Sequence, residues 1–308
     1  VSIIKECIGL IGGHSGDSLT DELHKRGYIV ALVAGKDNEP GMDSAEYVLT
    51  EDLSNHKLII KYFVECNVKN VVIGTGHSKA IELAKVLETE GFKTNIDYNK
   101  SILAKDKVKF KNLLIKIGIK TPEFISFRDA YSIDEIINRI GLPCVVKSAT
   151  DAVQPQKVNA KEDLQYAICN IKNTDTEVLI ERYINGNDCT VAIINDGKYC
   201  ESLGVTYYSK AKEYKLKGFD NAHSTQLSER KEQEICAIAK KIVDTLGFIG
   251  LLRIDFIIDE DVFVLELNSV IVTGYNGSAY PFFKIQGIDI AKKMIDTAIR
   301  IFENKDDL

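Results

Sequence analysis

Four residues near the end of the chain are spaced so that they could hold a metal ion and a phosphate together. Arg253-Ile254-Asp255-Phe256-Ile257-Ile258 is followed by a short acidic turn and then by Val262-Phe263-Val264-Leu265-Glu266-Leu267-Asn268. Both segments alternate with a period of two, so both are expected to be strands. On the first, Ile254, Phe256 and Ile258 share one face, and Arg253 and Asp255 the other; on the second, Phe263, Leu265 and Leu267 share one face, and Glu266 and Asn268 the other. If Glu260-Asp261 is a two-residue loop, residue 259 pairs with 262 and Asp255 falls opposite Glu266. The turn has no glycine, and a three-residue loop, the alternative, would spoil that pairing. In the first case one cation and three oxygen-bearing side chains converge on one patch of sheet. A hard divalent cation such as magnesium takes such oxygens and completes its shell with substrate phosphate. The plain alternative is a solvated hairpin. Against it, the outer positions Ile257, Val262 and Val264 are apolar, and a face that mixes apolar with ionisable residues is usually covered.

Such a patch needs a large scaffold. With 308 residues, 45% hydrophobic and 27% charged, the chain is long for a single core, and two or three domains are expected. The net charge of −6 argues against non-specific binding to nucleic acid or a membrane surface. Cysteines 7, 66, 144, 169, 189, 200 and 236 form no Cys-x-x-Cys pair and an odd set, which suggests reduced thiols. With no signal-peptide pattern and no apolar run of about 18 residues, a cytoplasmic protein is expected.

Residues 1 to about 97 alternate strand and helix: Cys7–Ile11, Tyr28–Val33 and Val71–Ile73 read as strands, with helices to Arg26, near Asn55–Cys66 and to about Glu90. This suggests a parallel sheet flanked by helices, with ligands beyond the strand ends where Gly12-Gly13-His14-Ser15-Gly16 and Gly74-Thr75-Gly76-His77 lie. The first turn is not in register for a dinucleotide motif, even with Asp37 downstream, so a nicotinamide site is not expected. His14 and His77 more often pack loops or cap helices than act in chemistry. From near Asn99 a second pattern begins, with helices over Asp106–Ile117 and about Ser132–Ile140 and strands over Glu123–Phe127, Pro143–Ser148 and Val178–Glu181. From Asp188 the chain is strand-rich, with a hairpin at Asn195-Asp196-Gly197-Lys198, a long helix over about Ser228–Leu246 and a last helix over about Ile288–Asn304. The lysine-rich stretch 209–226 reads as a lid or as a solvated loop.

Four more residues align with the hairpin. Lys107 opens a helix, Lys147 ends an apolar strand at a place suited to a phosphate, Glu181 ends the next strand, and Asp188 follows it. Taken singly, each reads as a solvated strand or helix end. As an ordered set they resemble the ATP-grasp superfamily, in particular the carboxylate–amine ligases related to D-alanine–D-alanine ligase and biotin carboxylase. The resemblance covers about residues 100–280, and the first hundred residues look like the domain that usually precedes them. It implies an α/β and α+β chain: an N-terminal Rossmann-like domain over 1–98, and two α+β subdomains over 99–184 and 185–308 that enclose ATP. It further implies that Lys107 and Lys147 embrace the ATP phosphates, that Glu181 receives the adenine amino group, and that the Arg182-Tyr183-Ile184 backbone meets the ring edge. Asp188 would take the ribose hydroxyls. Asp255, Glu266 and Asn268 would hold magnesium, or manganese in its place, and Arg253 would face the transferred phosphoryl.

The implied reaction joins a small carboxylate to an amine through an acylphosphate and releases ADP and phosphate; amino acids are candidate substrates, and relatives often form homodimers. Two departures stand out. The loop 148–158 has no glycine, although relatives close a glycine-rich loop over the phosphates there; the Ser148-Ala149 amides and Lys157 are what remains to meet phosphate. After Asn268 the chain lacks the arginine that many relatives carry. The alternatives are an ATP-grasp kinase acting on a small metabolite and a non-catalytic ATP-binding module.

Overall fold

The computed structural model describes residues 5–127, 131–150, 153–174, 177–208, 222–224, 227–276 and 280–306. Most of the stretch 209–226 therefore lies outside the described residues. The chain begins with a parallel sheet of β1 (Cys7–Ile11), β2 (Ile29–Ala34), β3 (Tyr47–Thr50), β4 (Asn70–Ile73) and β5 (Lys93–Thr94), in the order β3-β2-β1-β4-β5. Helices α1 (Gly16–Lys25), α2 (His56–Glu65) and α3 (Ser78–Thr89) connect the strands. The unbroken apolar runs in β1 and β2 are those of strands buried on both faces, and every residue of β1 is buried.

Two helices lead out of this sheet, α4 (Tyr98–Lys105) and α5 (Lys107–Lys116). Asp106 ends the first and caps the second, its carboxylate accepting the Lys109 amide at 3.0 Å. A four-stranded antiparallel sheet follows, built from β6 (Phe124–Phe127), β7 (Cys144–Ser148), β8 (Gln156–Val158) and β9 (Val178–Arg182), in the order β6-β9-β7-β8. Helices α6 (Ile133–Ile140) and α7 (Lys161–Lys172) share a core with one face of it, through Ile136, Ile140, Leu164 and Ile168 against Cys144, Val146, Val178 and Ile180. By alternation the other face carries Val145, Lys147, Leu179 and Glu181.

The last sheet contains β10 (Asn187–Asn195), β11 (Cys200–Tyr208), β12 (Ala222–Ser224), β13 (Gly250–Ile258) and β14 (Val262–Asn268), in the order β12-β11-β10-β13-β14. The expected turn at Asp196-Gly197 joins β10 to β11, with the Asp196 carboxylate accepting the amides of Lys198 and Tyr199. Helix α8 (Glu229–Leu246) covers one face, where Ile254, Phe256 and Leu267 pack with Ile235, Ile242 and Val243. After α9 (Tyr280–Ile285), α10 (Ile290–Asp306) packs Met294, Ile295, Ala298 and Phe302 into one core with the parallel sheet and with Ile194 and Leu251.

The β13–β14 hairpin corrects the sequence reading in its turn and confirms its pairing. Ile258 pairs with Val262, so the loop is the three residues 259–261. That loop alone would set Leu265 opposite Asp255. The register shifts between Asp255 and Phe256, however, so Leu265 is an extra bulged residue and Asp255 stands opposite Glu266. The bulge also exchanges faces: Val262 and Val264, expected outside, are buried in the α8 core, whereas Phe263 and Leu265, expected inside, are only half-buried. Lys120 and Thr121 hold the bulge from the side. The Val264 amide donates to the Lys120 carbonyl at 2.9 Å, and Thr121 Oγ1 donates to the Val264 carbonyl at 2.8 Å.

Because Phe256 is fully buried beneath α8, Phe256→Ala should cost about 3–5 kcal/mol of stability, read as a lowered urea midpoint with an unchanged denaturant slope.

Candidate active site

On β13 the face opposite α8 changes character along the strand. Leu251 belongs to the α10 core, and two residues on the same face becomes polar with Arg253 and Asp255. Arg253 stands opposite Asn268 and Asp255 opposite Glu266. On the other side Thr190 stands opposite Asp255, and Asp188 opposite Ile257. Asp255 has 0% exposure. Thr190 Oγ1 donates to its Oδ1 at 2.6 Å, and the Arg253 guanidinium donates to its Oδ2 at 3.2 Å, so the buried carboxylate is both hydrogen-bonded and charge-paired. A cleft beside this face is lined by Gly76, Lys105, Lys107, Glu266, Asn268 and Val270. Lys107 is buried at the start of α5, and its amide donates to the Ala149 carbonyl just after β7 at 3.0 Å.

The second cluster lies on the other face of the four-stranded sheet, which is buried at Leu179 and Glu181. Glu181, only 3% exposed, lies between two ammonium groups: Lys147 Nζ is 2.9 Å from Oε2 and Lys111 Nζ is 2.9 Å from Oε1. Burial alone would push the Glu181 carboxyl up, but the charges of Lys111 and Lys147 outweigh it and hold it below its ordinary value. Burial pushes the Lys111 ammonium down to about 8, against the opposing pull of Glu181. Sequence reasoning missed Lys111. The signal was there in its spacing, four residues after Lys107 and so on the same helix face, but a lysine with no exposed surface is not what a polar helix pattern suggests.

Arg182 turns its side chain away from the cleft to Glu123, at 2.6 Å. The Arg182 and Tyr183 amides are used by the carbonyls of Glu123 and Pro143; the Ile184 amide is the one of the three that these bonds leave out. Lys157 Nζ lies 3.7 Å from the centroid of the Tyr183 ring, near the Arg182–Ile184 segment. Beyond the strand, Gly186 runs so close to β13 that a Cβ there would stand 2.4 Å from the Ile258 carbonyl oxygen. His77 caps α3, its Nδ1 accepting the Lys79 amide at 3.3 Å.

Both glycine-bearing turns of the parallel sheet hold the segment that follows Asn268. Ser15 Oγ donates to the Gly74 carbonyl at 2.6 Å and accepts the Thr273 amide at 3.0 Å. At Gly274 a Cβ would stand 1.7 Å from the His14 carbonyl oxygen, so only glycine allows this approach.

The nucleotide and magnesium that the resemblance implies fit these residues. Glu181 Oε1 is a buried acceptor whose contact with Lys111 is an ion pair outside hydrogen-bond geometry, so it has capacity for an amino donor. Asn268 Nδ2 is a buried donor without a hydrogen-bond partner, which a phosphate oxygen would satisfy. Among the described residues no three His, Cys, Asp or Glu side chains form a metal site by themselves; two carboxylates and an amide would leave part of a magnesium shell to phosphate and water.

A lysine-flanked glutamate thus lies on one sheet and a carboxylate-bearing hairpin, with a cleft beside it, on another, within an ATP-grasp fold. Residues 113–299 match the family described as D-ala D-ala ligase C-terminus, and the chain belongs to that family. It is 32% identical to the D-alanine–D-alanine ligase of Francisella philomiragia over 232 residues, 71% of this chain and 75% of that one. It is 30% identical to the enzyme of that name from Saccharophagus degradans over 187 residues, 58% of this chain and 59% of that one. In fold it is similar to D-alanine–D-alanine ligase from Bacillus anthracis complexed with ATP, with a TM-score of 0.75, 19% identity and coverage of 98% and 99% of the two chains. Among the described residues no helix is long and apolar enough to cross a membrane.

Since the Glu181 carboxyl lies below its ordinary 4.5 in the folded protein, its contribution to stability is present above that value and is lost as pH falls through the folded one. Urea midpoints measured at descending acid pH should fall less steeply for Glu181→Gln than for the parent.

Proposed function

We propose that this chain is an ATP-dependent ligase that joins a carboxylate to an amine. The substrate carboxylate attacks the γ-phosphoryl of ATP to give an acylphosphate and ADP; the amine then displaces phosphate and an amide forms. The observation that carries this reading is the double pairing of Asp255 with Glu266 and Arg253 with Asn268 on one sheet face. Adenine binding alone does not need such a set.

In this reading Asp255, Glu266 and Asn268 hold magnesium or manganese, which neutralises phosphate charge when bound. Lys107 and Lys147 bind the ATP phosphates, and Arg253 faces the phosphoryl that moves. Fixed cations and alignment are what such a transfer requires, since the protein makes no covalent bond itself. Glu181 receives the adenine amino group, the Arg182–Ile184 segment meets the ring edge through its backbone, with the Ile184 amide available for it, and Asp188 takes the ribose hydroxyls. The parts 99–184 and 185–308 enclose ATP while 1–98 caps the acceptor side, a role supported by the bonds from Ser15 to the segment after Asn268. The activity that the relatives' names print makes D-alanine the first substrate to test, followed by other amino acids.

The test is product analysis after incubation with ATP, magnesium and pooled amino acids and small carboxylic acids. ADP, phosphate and a new amide mass are expected; ADP with a phosphorylated metabolite would replace the ligase by a kinase. Glu266→Gln should lower turnover by about a hundredfold or more and leave ATP binding weaker but measurable by calorimetry. Turnover at the parent rate in that variant would remove Glu266 from the metal set.

A further inference from the structure

Lys111 has no part in the reaction outlined above, yet it is the most buried ammonium of the site, with 0% exposure. Among the described residues its Nζ meets Glu181 Oε1 at 2.9 Å, Thr121 Oγ1 at 2.5 Å, and the Phe124 ring with its centroid at 5.6 Å, and the charges of Lys147 and Glu266 also act on it. Thr121 is itself tied to the bulged strand, donating to the Val264 carbonyl at 2.8 Å. Lys147, the other partner of Glu181, is held differently. It projects from near the end of β7, and its Nζ pairs with Glu181 Oε2. The assignments above give this same ammonium to the ATP phosphates, so Glu181 has to share it with them.

We propose that Lys111 is a positioning residue for the nucleotide, a fixed counter-ion that keeps Glu181 ionised and aimed at the base while Lys147 moves from Glu181 to the phosphates. This rests on the assignments of Glu181 and Lys147 made above. A carboxylate as buried as Glu181 would take up a proton if its last cation left, and would then lose its charge and turn one of its two acceptor oxygens into a donor, facing an amino group that needs an acceptor. Lys111 prevents this because Thr121 and the surrounding core stop it from following Lys147. The exchange also reinforces itself. The charge of Lys147 is one of the causes that lower the Lys111 proton affinity, so its departure makes Lys111 a firmer cation.

The test compares binding of magnesium with a non-hydrolysable ATP analogue, and with its purine-riboside counterpart lacking the 6-amino group, by calorimetry. Lys111→Met should weaken the adenine nucleotide by about tenfold or more and leave the purine nucleotide nearly unchanged. Thr121→Val keeps the lysine and the local shape but removes the tie; it should shift the same preference by a smaller factor, and it decides the matter if Lys111→Met does not fold. Glu181→Met, which removes the acceptor altogether, is the reference, expected to erase most of the preference for the amino group. If Glu181→Met erases it while folded Lys111→Met and Thr121→Val weaken both nucleotides equally or neither, Lys111 is only structural and the proposal is overturned. If Glu181→Met leaves the preference intact, the assignment of the base site fails first, and the proposal falls with it.

Discussion

The register of β13 against β14 is the constraint on which the rest of the site depends. In a strand every side chain changes face if the pairing slips by one residue. Here a slip would send Glu266 and Asn268 into the core beneath α8, where Ile254, Phe256 and Leu267 sit, and a carboxylate there would have no partner. The apolar side chains therefore fix the polar ones. Leu265 absorbs the residue that the three-residue turn adds, and Lys120 and Thr121 fasten the strand beside it. The metal face is thus specified from behind, by packing.

The second cluster is held by charge. Removing a carboxylate and two ammonium groups from water costs several kcal/mol per ion, and close pairing returns that only when the geometry is good. A core of apolar residues at Lys111, Lys147 and Glu181 would be no less stable. That the chain keeps ions there is a sign of function, because the same low-dielectric setting that makes them costly makes them strong toward a bound anion or base.

Much of this was legible in the sequence, and the limits have physical causes. Period-two alternation locates β13 and β14, and the order of Lys107, Lys147, Glu181, Asp188 and the Asp255, Glu266, Asn268 set points to the family from the sequence alone. The bulge was not legible, because nothing in Val264-Leu265-Glu266 differs from a regular strand; it arises from the conflict between the turn length and the core. The inward turn of Val262 and Val264 follows from the same conflict. Lys111 was hidden for another reason: its burial depends on Glu181 and Thr121, and Glu181 is far away along the chain. Strand β3 was missed because half-exposed Tyr47–Thr50 shows neither alternation nor a full apolar run. The contacts of Ser15 with Gly74 and Thr273 join segments remote in sequence, and no local pattern announces them.

The docking of α10 has a consequence for synthesis. Met294, Ile295, Ala298 and Phe302 complete the core that begins with β1 and β2, and Arg26 on the end of α1 pairs with Asp296 at 2.8 Å. A ribosome delivers the first strands long before it reaches residues 290–306. During that interval the nascent parallel sheet shows water an apolar surface that the late helix will help to cover, and such surfaces recruit chaperones or other unfinished chains. A translational stop between β14 and α10 would therefore yield an aggregating fragment with its hairpin fully encoded, rather than a shorter protein that still folds.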